Sequence, residues 1–381
     1  MLRSIARMRR FFACVLPVAF LLHGIFIPPL PAQPRYERSF LISQKNGLPT
    51  NDVRDVCKDP EGFIWIATAD GLCRYDGSQM KIYHHQQGDS TSLFDNMVLC
   101  VIAYQGKIWA GTNMGVSVLD PKTETFSHIQ FDSFRVYRTV QRRPNQGVLR
   151  LHADTWNDLW IGTFISGVVR YRHKENDFQF FRAKNLTRDS VFNKINDAER
   201  ILSIAASPYN DSLVYAGTAI GLQEINRHAG TLRWYVFPQA TPQMQVAANA
   251  FRRIYYHDDG LLYAGSWNTG IHVFDPVSKA YYPLPIKPGP GNHILRAGIR
   301  GLVRKSTDEI WISSGYGMGL YHSGRRELSY WKENDLVYGR YYALYMIDEA
   351  QRAWFYDIFG LNVFDPSLQQ FVPHEYGHLR P

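Results

Sequence analysis

Cysteine is scarce in this chain, and it is spread too thinly to staple a fold. Four occur in 381 residues: Cys14, Cys57, Cys73 and Cys100. A sparse, odd set in the part that follows an export leader is not a disulfide framework. We read Cys57, Cys73 and Cys100 as buried free thiols in strands, with one bridge and a spare thiol as the alternative. No Lys/Arg-rich block occurs, so the formal charge of +8 carries no nucleic-acid footprint. Beyond the first segment no apolar run approaches a membrane span. His84-His85 has no spaced His or carboxylate set to complete a metal site, and no Ser-centred nucleophile elbow is present. The sequence therefore calls for no cofactor and no metal. Asp258-Asp259, the adjacent carboxylate pair, reads as a hairpin turn and not as a hydrolytic pair.

The first 32 residues have the layout of a secretory leader. Arg3, Arg7, Arg9 and Arg10 form a basic start, an apolar stretch runs from Phe11 to about Ile27, and Leu30-Pro31-Ala32 precedes Gln33. Pro17 and the short apolar length argue against an uncleaved anchor. Cys14 lies inside that stretch, which does not support a lipoprotein. The expectation is a cleaved signal over 1–32 and a periplasmic product. The leader holds four Arg and no acid, so the remainder carries +4.

What is abundant is aromatic residues, 14% of the chain, and they recur in phase. Trp65, Trp109, Trp160, Tyr215, Tyr263, Trp311 and Trp354 each open a β-like run of small residues, followed by a polar or aromatic turn, Gly and a second apolar run. Their spacings are 44, 51, 55, 48, 48 and 43 residues. That period predicts an all-β fold, a seven-bladed β-propeller of four-stranded antiparallel blades, over 36–373. In the first copy, Asp59-Pro60-Glu61-Gly62 and Ala69-Asp70-Gly71 turn successive strands. The anchor aromatics are expected to fill the wedges between blades. Gly111, Gly162, Gly217 and Gly265 fall where neighbouring sheets must approach. Phe40-Leu41-Ile42 is placed as an outer strand that closes the ring on the seventh blade. Gln370-Phe371-Val372 competes for that place, or leads with the tail 374–381 into a further domain.

Gly47-Leu48-Pro49-Thr50-Asn51-Asp52-Val53-Arg54, Asp59 through Thr68, and Gly71-Leu72-Cys73-Arg74-Tyr75-Asp76-Gly77 together closely resemble the two-component regulator propeller repeat. The later copies are more degenerate. The resemblance implies a periplasmic sensor region of a bacterial hybrid two-component system, with oligosaccharides as common ligands. In such receptors further domains, a membrane helix and a kinase or DNA-binding output follow. No phosphoacceptor helix or nucleotide-binding Gly motif appears here, so the chain looks like a leading fragment of a receptor or a free-standing propeller.

In a blade meander the second-to-third and fourth-to-first connections share one disc face. Candidate ligand contacts on that face are Asp70, Asn113, Phe164, Trp267, Asn268, Tyr316, Asp357 and Phe359, with Trp267 the sharpest because its turn takes it out of the anchor register. Aromatic rings there can stack on sugars while amides and carboxylates bond hydroxyls. The innermost strands offer Arg54, Asp55, His152, Arg252 and Arg253, which suits acidic ligands better than acid–base work. Three readings follow: a sensor or scaffold module binding an oligosaccharide, a glycan-cleaving lyase or hydrolase, and a structural propeller that forms a homodimer.

Overall fold

The computed structural model describes residues 41–131, 147–182, 200–237, 249–331, 343–357 and 359–364. The expected leader, Phe40 of the expected closing strand, the tail, Gln370-Phe371-Val372 and parts of four connections lie outside that set. The described chain forms seven four-stranded antiparallel sheets. The inner strands are Val53–Lys58, Val98–Tyr104, Val148–Ala153, Ile201–Ala206, Arg253–Tyr256, Ile299–Arg304 and Ala343–Ile347. Each packs beside the inner strand of the next blade, and the first packs beside the last, so the sheets close into a ring. The fold is a seven-bladed β-propeller.

Closure uses both ends of the ring. Leu41–Ile42 pairs antiparallel with Gly360–Phe364, matching Leu41 to Asn362 and Ile42 to Leu361. It thereby supplies the fourth, outer strand of the blade whose other strands come from the C-terminal part. An outer edge that would otherwise expose unpaired amides is covered, and Ile42 is 1% exposed.

The repeated phrase has a physical reason at each position. Trp65, Trp160, Trp311 and Tyr215 are fully buried, with Trp109 and Trp354 nearly so. They lie in apolar clusters that each join neighbouring sheets, as Trp65 does with Val98, Val101 and Ile108 of the second blade. The mid-blade glycines sit where the next sheet comes close. A Cβ on Gly111 would lie 2.7 Å from Val148 Cγ1, and one on Gly265 would lie 2.5 Å from Ile299 Cγ2. The Thr before the turn is a clamp: Thr68 Oγ1 donates to Gly71 O at 2.8 Å and accepts from Asp70 N at 3.1 Å. Thr112 does the same with Gly115 and Met114. Gly71 then has φ +112°, a left-handed conformation that favours glycine.

Three anchor indoles have a polar partner as well. Trp65, Trp160 and Trp354 each donate Nε1 to an Asp six residues earlier, Asp59, Asp154 and Asp348, at 2.7, 2.7 and 2.9 Å. Between the third and fourth blades, Arg227 is 2% exposed and contacts Asp154 at 2.7 Å and Asp158 at 2.8 Å. Arg170 reaches the same Asp158 oxygen at 2.7 Å. Cys57, Cys73 and Cys100 are free thiols, and burial pushes Cys73 up to about 12.

Candidate functional site: the channel mouth

Inner strands of a propeller face the axle. Here most of them break register once, between Val53 and Asp55, Val98 and Cys100, Val148 and Arg150, Ile201 and Ser203, Ile299 and Gly301, and Leu344 and Met346. A bulge leaves one residue unpaired and re-aims it. The residues so released are Arg54, Leu99, Leu149, Leu202, Arg300 and Tyr345, and every one lines a central cavity of about 260 Å³. Arg150, Arg200, Arg252 and Arg253 complete a wall that carries six arginines. Asp52 is the one acid in that lining among the described residues, and it pairs with Arg54 at 2.5 Å.

The electrostatics follow from crowding. Burial, with Arg300, Arg150 and Arg200 close by, pushes Arg252 down to about 10. Burial and Arg150 push Arg253 down to about 9, with Asp55 pulling the other way. Both remain cationic at neutral pH. Asp55 sits behind the wall and accepts from Val56 N at 3.1 Å and Val101 N at 3.2 Å. Burial outweighs the pull of Arg150 and Arg253 and raises its pKa above the ordinary carboxylate value. Arg150 Nε and Arg200 Nε are buried with no hydrogen-bond partner among the described residues.

None of the eight candidate turn residues lines this cavity itself, and two of them touch arginines that do. Trp267, 46% exposed, lies with its ring centroid 3.8 Å from the Arg252 guanidinium carbon. Phe164 does the same to Arg200 at 4.6 Å. Two of the turn aromatics therefore rest on two channel arginines. Tyr316 is 50% exposed, and Asn268 is exposed beside Trp267. Asp70 is exposed, and its backbone oxygen lies 3.0 Å from His84 Nε2. Asn113 is half-buried in its turn. Asp357 is 4% exposed and accepts from Phe359 N at 2.8 Å, so its carboxylate caps its own turn.

Of the inner-strand candidates, Arg54, Arg252 and Arg253 line the cavity. His152 lies elsewhere, in a second cavity of about 310 Å³ towards the other end of the inner strands. Its Nε2 accepts from Ala206 N at 3.2 Å. Sequence reading missed Arg150, Arg200, Arg300 and Tyr345. The signal that reaches them is positional: each falls within two residues of the inner-strand bulge. Asp258 is held by Arg304 at 2.6 Å on the opposite disc face, at a first hairpin turn. Among the described residues, no group of His, Cys, Asp and Glu could hold a metal ion. No described helix is long and apolar enough to cross a membrane.

Comparison with known proteins agrees with this architecture. A histidine kinase of Formosa agariphila is 42% identical over 48 residues, 13% of this chain and 4% of that protein. The extracellular domain of a protein described as a hybrid two-component system of B. thetaiotaomicron superposes with a TM-score of 0.63 at 20% identity, over 85% of this chain and 41% of that one. Virginiamycin B lyase of Staphylococcus aureus superposes with a TM-score of 0.61 at 10% identity, over 86% and 97%. The two structural likenesses show the fold. The chain spans less than half the length of the kinase and of the two-component domain it matches. Residues 47–70 match the two-component regulator propeller family, and the chain is thus a seven-bladed propeller carrying that family's repeat and resembling the extracellular domains of two-component systems.

Proposed function

We propose that this propeller is an extracytoplasmic ligand-sensing module of a two-component receptor, and that it holds an oligosaccharide at the channel mouth. The observation that carries this reading is Trp267, a large ring left 46% exposed at the rim while resting on Arg252, whose side chain lines the cavity. An exposed indole beside buried donors is the pairing that sugar recognition uses: the ring covers an apolar sugar face and the donors bond its hydroxyls. Asn268, next to Trp267, and Tyr316 are exposed on turns of the same class and would extend that surface in this reading. The wall is mainly arginines, leucines and tyrosines, and its one acid among the described residues, Asp52, is paired with Arg54, which favours binding over general acid–base work. In this reading the propeller supplies recognition, and output belongs to domains of the kind that two-component systems carry. The lyase and homodimer readings rest on the fold alone, which hosts many functions.

The test is indole fluorescence and calorimetry of the full chain against a panel of oligosaccharides. At least one should bind without product formation. Trp267→Ala should weaken it about tenfold, the loss of one stacked ring, with the melting temperature held. Binding by no member of the panel, or steady turnover of one, would reject the reading.

A further inference from the structure

We infer that the arginine wall of the channel is an oxoanion site, built for a carboxylate or sulfate group that arrives either free or carried on a single sugar ring. The geometry leads there from several sides. Bulges aim Arg54 and Arg300 at the axle. Arg150, Arg200, Arg252 and Arg253 join them in a cavity whose one lining acid among the described residues is Asp52. Guanidinium groups so close repel one another, and that repulsion is relieved when an anion enters. Arg200 and Arg252 are also held in place. Phe164 and Trp267 lie against them, and a stacked guanidinium keeps its N–H edge free for a planar or tetrahedral oxoanion. Arg150 and Arg200 each keep a buried Nε–H with no partner among the described residues, and buried donors of that kind are ordinarily satisfied.

Size narrows the ligand. About 260 Å³ admits an oxoanion or one acidic ring, and it leaves further sugar residues to the rim. A wall that served only packing would not gather six like charges where Leu99, Leu149 and Leu202 already show that apolar side chains fit. The sugar-borne form of this inference rests on the function proposed above, whereas the free-anion form does not.

Calorimetry and thermal melts of the full chain, at fixed ionic strength, separate the two. The probes are sodium sulfate against sodium chloride, and D-galacturonate against its neutral counterpart D-galactose. Sulfate should raise the melting temperature beyond chloride, or galacturonate should bind at least about tenfold tighter than galactose. Sulfate alone identifies a free anion, and galacturonate identifies a sugar-borne one. Arg252→Gln and Arg300→Gln should each remove most of the preference, and Arg300→Lys should keep part of it. Circular dichroism and the melting temperature in chloride report whether each variant folds, and Arg200→Gln replaces any that does not. The inference is overturned by sulfate acting only as chloride does with galacturonate binding no tighter than galactose. It is equally overturned by folded glutamine variants that retain the preference. Binding of galactose with no anion preference would preserve the oligosaccharide reading and sink this one. Sulfate binding with no sugar bound would do the reverse.

Discussion

Trp65 Nε1 donates to Asp59 Oδ2 at 2.7 Å, so the largest side chain of the first blade is tied to the turn that precedes its strand. The other oxygen of Asp59 accepts from Phe63 N at 2.9 Å. One carboxylate thus fixes both the hairpin and the wedge. Trp65→Ala should destabilise by about 3–5 kcal/mol, the cost of emptying a buried aromatic site. Trp65→Phe separates the two roles, because it keeps most of the ring and strands the buried Asp59. Trp109 provides the comparison: its Nε1 has no partner among the described residues. Urea unfolding should therefore show a larger loss for Trp65→Phe than for Trp109→Phe, the difference being about 1–3 kcal/mol for an orphaned buried acceptor.

Ring closure by Leu41–Ile42 makes a second, separate prediction. Ile42 is 1% exposed and packs with Leu48, Val53 and Leu361. Ile42→Ala should cost about 2–5 kcal/mol, a large effect for a residue in a two-residue strand. The variant should also unfold faster, since the outer edge of the closing blade opens first. Equal stability and an unchanged unfolding rate would mean that closure does not depend on this strand.

Acid should weaken the fold before the carboxylates titrate. Burial pushes His152 from 6.5 down to about 4, and its Nε2 accepts from Ala206 N across the third and fourth blades. Burial lowers His128 and His272 as well. The unfolded chain binds protons below pH 6.5 that the folded chain refuses until near pH 4. This stabilisation is therefore complete above pH 6.5 and is lost as pH falls towards 4, on the order of 3 kcal/mol for His152. Urea midpoints measured across that window should fall. His152→Gln, which can still accept from Ala206 N, should flatten the slope.

The fold was open to reading because its signals are local and repeated. Aromatic anchors and a turn glycine recur at each blade, a Thr clamp recurs in the first four, and a period near one blade length leaves few alternatives. The closing strand was legible for the same reason: Phe40-Leu41-Ile42 reads as a strand without a blade of its own, and Leu41–Ile42 forms it. The channel was not. Arg150, Arg200 and Arg300 belong to three different blades, follow long connections and share no motif. Only the ring brings them together, and only the bulge turns Arg300 inward. Arg54 and the Arg252-Arg253 pair were visible, yet the other three arginines of the wall were not. The Trp–Asp ties, six residues apart in three blades, stood in the sequence as a spacing that the anchors overshadowed.

The central claim is that the axle of this propeller is its ligand site, held by arginines and rimmed by Trp267. Selenate is a sulfate analogue whose heavy atom can be located by anomalous scattering. Crystals of the full chain grown with it should show a peak within hydrogen-bond distance of Arg252 and Arg300, and not in crystals of Arg300→Gln. Anomalous peaks confined to the outer surface, with a channel empty of selenate and, in parallel crystals, of D-galacturonate, would contradict the account.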